Sequence, residues 1–216
     1  MKKWKNSELL INNFIQFIFI FSSVYFAFWL SNLAELKRVK NIEKKAIESV
    51  HKELKENLAQ LNKAYDFHYD IRNRSFAYAD SIENGVIDPV SLKPRHHLSK
   101  IFTRESNSLG FPSLNRNSWE TLKRSEAYMT LDYELASTIG KLYSIQEKGV
   151  EITMQKIISE IFNNKSLFRE DESEAIIFLT AWSFRELAGQ EQYLMKVITN
   201  SLVEIEKYYP ELKNER

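Results

Sequence analysis

The chain has 216 residues, enough for one domain of ordinary size once an N-terminal anchor is set aside. Its 30 Lys and Arg nearly balance 29 Asp and Glu, so the overall charge gives no pull toward a nucleic acid or other polyanion. The absence of cysteine excludes disulfides, thiolate metal sites and cysteine nucleophiles together.

Residues 1–8 form a short basic tail carrying Lys2, Lys3 and Lys5. From Leu9 to Ala34 no residue is charged, and a helix of that length spans roughly 39 Å against a hydrocarbon core of about 30 Å. Phe14, Phe17, Phe19, Phe21, Phe26 and Phe28 point in every direction around such a helix, which suits lipid better than one face of a core. The window is too long for the apolar region of a cleaved signal peptide, and bulky Trp29-Leu30 precedes Ser31, Asn32 and Leu33. We therefore read residues 9–33 as a transmembrane helix, with Trp4 and Trp29 at its two interfaces. Both flanks are basic, Lys37, Arg38, Lys40, Lys44 and Lys45 following the span. A short basic tail before a first span stays inside, so the expected orientation is an extracytoplasmic C-terminal domain on the inner (plasma) membrane.

Residues 34–84 contain no glycine or proline and form the expected long charged helix. Ile47, Val50, Leu54, Leu58, Leu61, Tyr65, Tyr69 and Phe76 recur at helical spacing as its core stripe, with Glu48, Lys52, Glu56 and Gln60 on solvated faces. Gly85 to Pro94 reads as a connector, a short helix is expected from His97 to Arg104, and Ser106 to Asn117 is the longest irregular stretch, the first place to look for a small-molecule site. Asn117-Ser118-Trp119-Glu120 has the spacing of a capped helix start. Asp132 is expected to cap the next helix, which runs past Gly149 to about Phe162; Asp171 with Glu174 opens the last, and Tyr208-Tyr209-Pro210 stops it. The expected fold is all-α: an N-terminal transmembrane helix continuing into a long helix that packs in a small helical bundle with the remainder, 85–216.

Ala27-Phe28-Trp29-Leu30-Ser31-Asn32, followed by the helix containing Lys52-Glu53-Leu54-Lys55-Glu56-Asn57-Leu58, resembles a family of bacterial single-pass membrane proteins of unknown function. Asn117-Ser118-Trp119-Glu120-Thr121-Leu122, with Leu142-Tyr143 downstream, is similar to that family's second recurring block. Two departures stand out: the Trp lies before the Asn of the anchor end, and Glu126 follows Ser125 where a glycine is expected. The resemblance implies an anchored helical domain and supplies no catalytic residue.

The chemistry-bearing residues are sparse. Glu48 and His51 have the Glu-x-x-His spacing of di-iron bundles, but no second copy exists, so a surface histidine is the expectation. Asp66, His68 and Asp70, two apart on a helix, point in different directions and make no triad. His96 and His97, beside Arg95 on the connector, are expected to be solvated. No phosphate loop, nucleophile elbow, zinc-protease motif or dinucleotide fingerprint occurs. The aromatics Tyr65, Phe67, Tyr69, Phe76 and Tyr78, interleaved with Arg72 and Arg74, read as helix packing rather than a base-stacking surface. No catalytic, cofactor-binding or metal residue, and no cofactor, is assigned. Trp119 is singled out as the residue organising the domain, with a role as an exposed binding anchor as the alternative. The function expected is a membrane-anchored binding or scaffolding protein of the cell envelope. Its partners would be the lipid bilayer and either a second copy or another envelope protein, with no nucleic acid. The alternatives are a membrane-bound enzyme with a dispersed site and a sensor; the short tail is expected to leave no room for an output domain, so a sensor would need a partner chain.

Overall fold

The computed structural model describes residues 2–91, 93–102, 109–162 and 165–214, without the side chains of residues 2–12, 166 and 214. The side chains of Lys2, Lys3, Trp4 and Lys5, the expected helix end at Arg104, and residues 106–108 of the irregular stretch thus lie outside the description. Among the described residues the chain is all-α, and one helix dominates it: α1, Lys2–Glu83. With neither glycine nor proline to break the hydrogen-bond ladder, span and charged helix form one rod, roughly 120 Å long. It stops at a Schellman turn: Gly85 takes φ 69°, its amide donates to Ile82 and that of Val86 to Ser81.

The shorter helices wrap the second half of this rod: α2 (Pro94–Ile101), α3 (Asn117–Lys123), α4 (Tyr133–Ile145) and α5 (Ile152–Ile157), closed by the long α6 (Ser173–Tyr208). Two π-helical turns, Gln146–Glu151 and Ile158–Phe162, make the run from α4 to Phe162 continuous, as the sequence leads one to expect. The pairing of α1 with α6 is the principal contact of the fold. It is antiparallel and keeps register throughout: His51 meets Glu206, His68 meets Glu191 and Phe76 meets Trp182.

Apolar burial centres on Ile47, Val50, Leu54, Leu61 and Ile71 of α1 against Ile177, Phe184, Leu187, Leu194 and Ile198 of α6, all at most 1% exposed. The expected stripe holds as far as Leu61 and then departs. Beyond it the buried positions of α1 are Ala64, Phe67, His68, Ile71, Ser75, Ala79 and Ile82, while Tyr69 is 41% exposed and Tyr65 and Phe76 are half-buried. The small side chains of Ala64, Ser75 and Ala79 allow close packing of the neighbouring elements.

Helix starts differ from expectation in three places, the first being α2, which begins at Pro94 rather than His97 because proline is well suited to the first turn of a helix. Asp132 caps α4 as expected, accepting from the amides of Glu134 and Leu135. At α3, however, Arg116 occupies the cap position without a side-chain bond, and the carboxylate of Glu53 reaches from α1 to accept from the Ser118 amide at 2.8 Å. The orphan amide is satisfied from another helix rather than by a local box. At α6, Asp171 pairs with Arg169 instead of capping.

Candidate functional site

One stripe of α1 carries a set of polar side chains with a shared task. Glu53, Asn57, Gln60 and His68 project at helical spacing onto the extended segment 109–116 and the first turn of α3 and bind their backbone. Glu53 accepts from Ser118, and Gln60, half-exposed, accepts from the Ser113 amide at 3.0 Å. Asn57, fully buried, donates to the Asn115 carbonyl at 2.7 Å and accepts from the Asn115 amide at 2.9 Å. Its amide also lies 3.3 Å from Gln146 Oε1, at the start of the first π-turn. The irregular stretch is therefore a strap strung along α1, its backbone hydrogen bonds supplied by side chains in place of a sheet partner. Gly110 holds φ 71° with its α-carbon against the Phe67 ring, a place where a Cβ would fall 2.3 Å from Phe67 Cδ1.

His68 ends the stripe and has no exposed surface, nor has Glu191, whose Oε1 lies 2.8 Å from Nδ1. The other ring nitrogen faces the Leu109 carbonyl at 2.9 Å, which can only accept, so Nε2 carries a proton. One further proton then lies between Nδ1 and Glu191. Phe111 and Phe184 pack on the imidazole, and the second Glu191 oxygen has no hydrogen-bond partner among the described residues. Burial pushes the Glu191 carboxyl above its ordinary range, with the hydrogen bond and charge of His68 pulling the other way. With both nitrogens engaged and apolar rings around it, His68 is a fastening and has no free face for a substrate.

Two of the three histidines expected at the surface, His51 and His97, are also inside. His51 is 2% exposed and bonds Glu206 at 3.2 Å, whereas Glu48 stays exposed and shares nothing with it. His97 is fully buried between the Tyr78 hydroxyl at 2.8 Å and the Pro89 carbonyl at 3.1 Å, while its neighbour His96 is exposed. Each turned inward because a partner stands on the facing element, which composition alone does not reveal. Among the described residues no group of three His, Asp or Glu is placed to hold a metal ion.

Trp119 is 4% exposed. Its ring stacks on Tyr143 at 6.0 Å and meets Tyr128 edge-on at 5.8 Å. The Tyr143 hydroxyl donates to Glu53 at 2.6 Å, and burial together with that carboxylate drives its ionisation far upward. Four elements thus meet around one aromatic stack.

Open space lies elsewhere. A groove of about 480 Å³ runs between the π-turned segment and α6, with Lys148, Ile152 and Lys156 on one wall and Trp182, Glu186 and Gln190 on the other. Trp182 is 55% exposed, carries the Arg185 guanidinium 4.7 Å from its ring centre and touches Phe76 of α1. Nothing in the sequence had marked it; an exposed indole is visible only once the buried face of α6 is known.

The fold and these sites define an all-α chain whose one N-terminal helix is long and apolar enough to cross a membrane. Comparison with protein-family models, curated proteins and solved structures finds no match to the chain.

Proposed function

We propose that the protein is a single-pass membrane protein whose helical domain is a binding or scaffolding module of the cell envelope, held on an extracytoplasmic face. The observation that carries this reading is the first part of α1. Residues 13–36 touch almost nothing of the domain, and Phe14, Phe17, Phe19, Phe21, Phe26 and Phe28 are each 60–69% exposed. An uncovered apolar cylinder of this length is a liability in water and fits a bilayer. The same helix is the spine of the domain, so membrane and domain are joined without a hinge. The resemblance to anchored bacterial proteins supports the same reading. A binding role is favoured over catalysis because the buried histidines are fastenings, while aromatic and arginine surface, the chemistry enriched at protein interfaces, is exposed around Trp182. The full-length chain is expected to pellet with membranes and to resist carbonate extraction, and a version starting near Glu43 to be soluble. Full-length protein in the soluble fraction refutes the proposal.

A further inference from the structure

We propose that the membrane-proximal end of the domain is itself a lipid-contact surface that reads anionic phospholipid headgroups, an inference that rests on the membrane reading above. Three observations converge on that end. The first is position. Arg38 pairs with Glu126 at 2.6 Å, which sets the start of the short turn Glu126–Met129 level with Arg38. Arg38 stands about 8 Å beyond Leu33 along the helix, close to the outer edge of a headgroup layer roughly 5–8 Å deep, and Glu43, which binds Thr130 just after the turn, stands about 15 Å beyond it, so Met129 lies between these two levels.

The second is charge. The acids packed at this end each have a partner within the molecule: Glu35 and Glu126 share Arg38, Glu211 pairs with Lys44, Glu43 accepts from the hydroxyls of Thr130 and Tyr209, and Asp132 accepts from the amides of Glu134 and Leu135. Lys37, Lys40 and Lys45 are exposed on one side of α1 with no ion pair in the described structure, while Glu48 and Glu134 stay exposed at the margin. Lysines within a Debye length of an anionic surface are drawn to it.

The third is apolar exposure. Outside the span, Met129 at 86% and Tyr133 at 84% are the most exposed large apolar side chains described, and both lie at this same end, beside Thr130, which binds α1. A flexible thioether and an amphipathic ring are suited to the boundary between headgroups and water. Continuity with the span selects the bilayer as the occupant.

The test uses the full chain in liposomes, zwitterionic or containing phosphatidylglycerol, with quenchers attached to the headgroups. Because the protein has no cysteine, single probes at Met129→Cys, Tyr133→Cys and Val86→Cys report without background. Val86, 78% exposed, follows the far end of α1 and serves as the distant control. Co-flotation is scored first. The expected result is severalfold stronger quenching at positions 129 and 133 than at 86 in anionic liposomes, falling when Lys37→Gln, Lys40→Gln and Lys45→Gln are combined. Failure to float overturns the membrane reading itself. Flotation with quenching at 129 and 133 no greater than at 86 overturns only this inference, as does quenching indifferent to lipid charge and to the three lysines.

Discussion

A single ring joins α3, the turn before α4 and α4 itself, and through Tyr143 and Glu53 it reaches α1. Replacing Trp119 by Ala removes that stack and leaves a cavity, for which a loss of about 3–5 kcal/mol is expected, enough to unfold a domain of ordinary stability. Thermal unfolding of the soluble fragment checks it; an unchanged midpoint would instead make Trp119 a partner-binding residue. Glu191 makes a second prediction, with a definite sign. Its folded-state carboxyl is raised above the ordinary value, so between the two values the folded protein binds more protons than the unfolded chain. Its contribution is fully present below the ordinary carboxylate range and is lost as pH rises through the raised value. Unfolding midpoints measured across this range should show the wild type declining relative to Glu191→Gln, which has no proton to lose. Parallel curves for the two proteins would show that Glu191 is not held protonated.

Among the elements, the strap 109–116 is the least self-sufficient, since side chains of α1 complete its backbone hydrogen bonds. Asn57→Ala removes a donor and an acceptor at once and leaves the Asn115 amide and carbonyl unmatched, each at a cost of about 1–3 kcal/mol where water is excluded. The amides of Ser113, Asn115 and Ser118 are expected to be protected from hydrogen exchange in the wild type. In the variant Asn115 should exchange first, before the helices on either side. Uniform acceleration across the whole domain would mean that the strap has no separate stability. Little of this arrangement was legible beforehand. A polar residue at a helical position reads as solvated until the segment that covers it is known, which is why His51 was expected outside.

At the scale of the whole molecule, the unbroken α1 ties the orientation of the domain to that of its apolar N-terminal segment. On the proposed topology a reporter active only outside the cytoplasm, fused after Arg216, is expected to be active. Activity from a cytoplasm-only reporter at the same place would reverse the assignment and make Lys37 to Lys45 a cytoplasmic flank. The antiparallel run of α6 along α1 returns the chain toward that segment. Tyr209 and Glu211 beyond its end contact Glu43 and Lys44, so the C-terminal turn and the root of the domain share one end.

Sequence by itself determined the all-α class, the long apolar stretch near the N-terminus, the unbroken first helix, the Asp132 cap and the stop before Pro210. These depend on local chemistry: the missing breakers, the uncharged window, a carboxylate beside free amides. Only the tertiary structure decided which way the second half of α1 faces, that Glu53 caps α3 from a distance, and that His51, His68 and His97 are buried. It also decided that Trp182, Met129 and Tyr133 are left at the surface. The reason is that burial is a property of pairs of elements. His68 is inside because Glu191, more than a hundred residues later, stands opposite it, and no pattern within one helix encodes what the facing helix will offer.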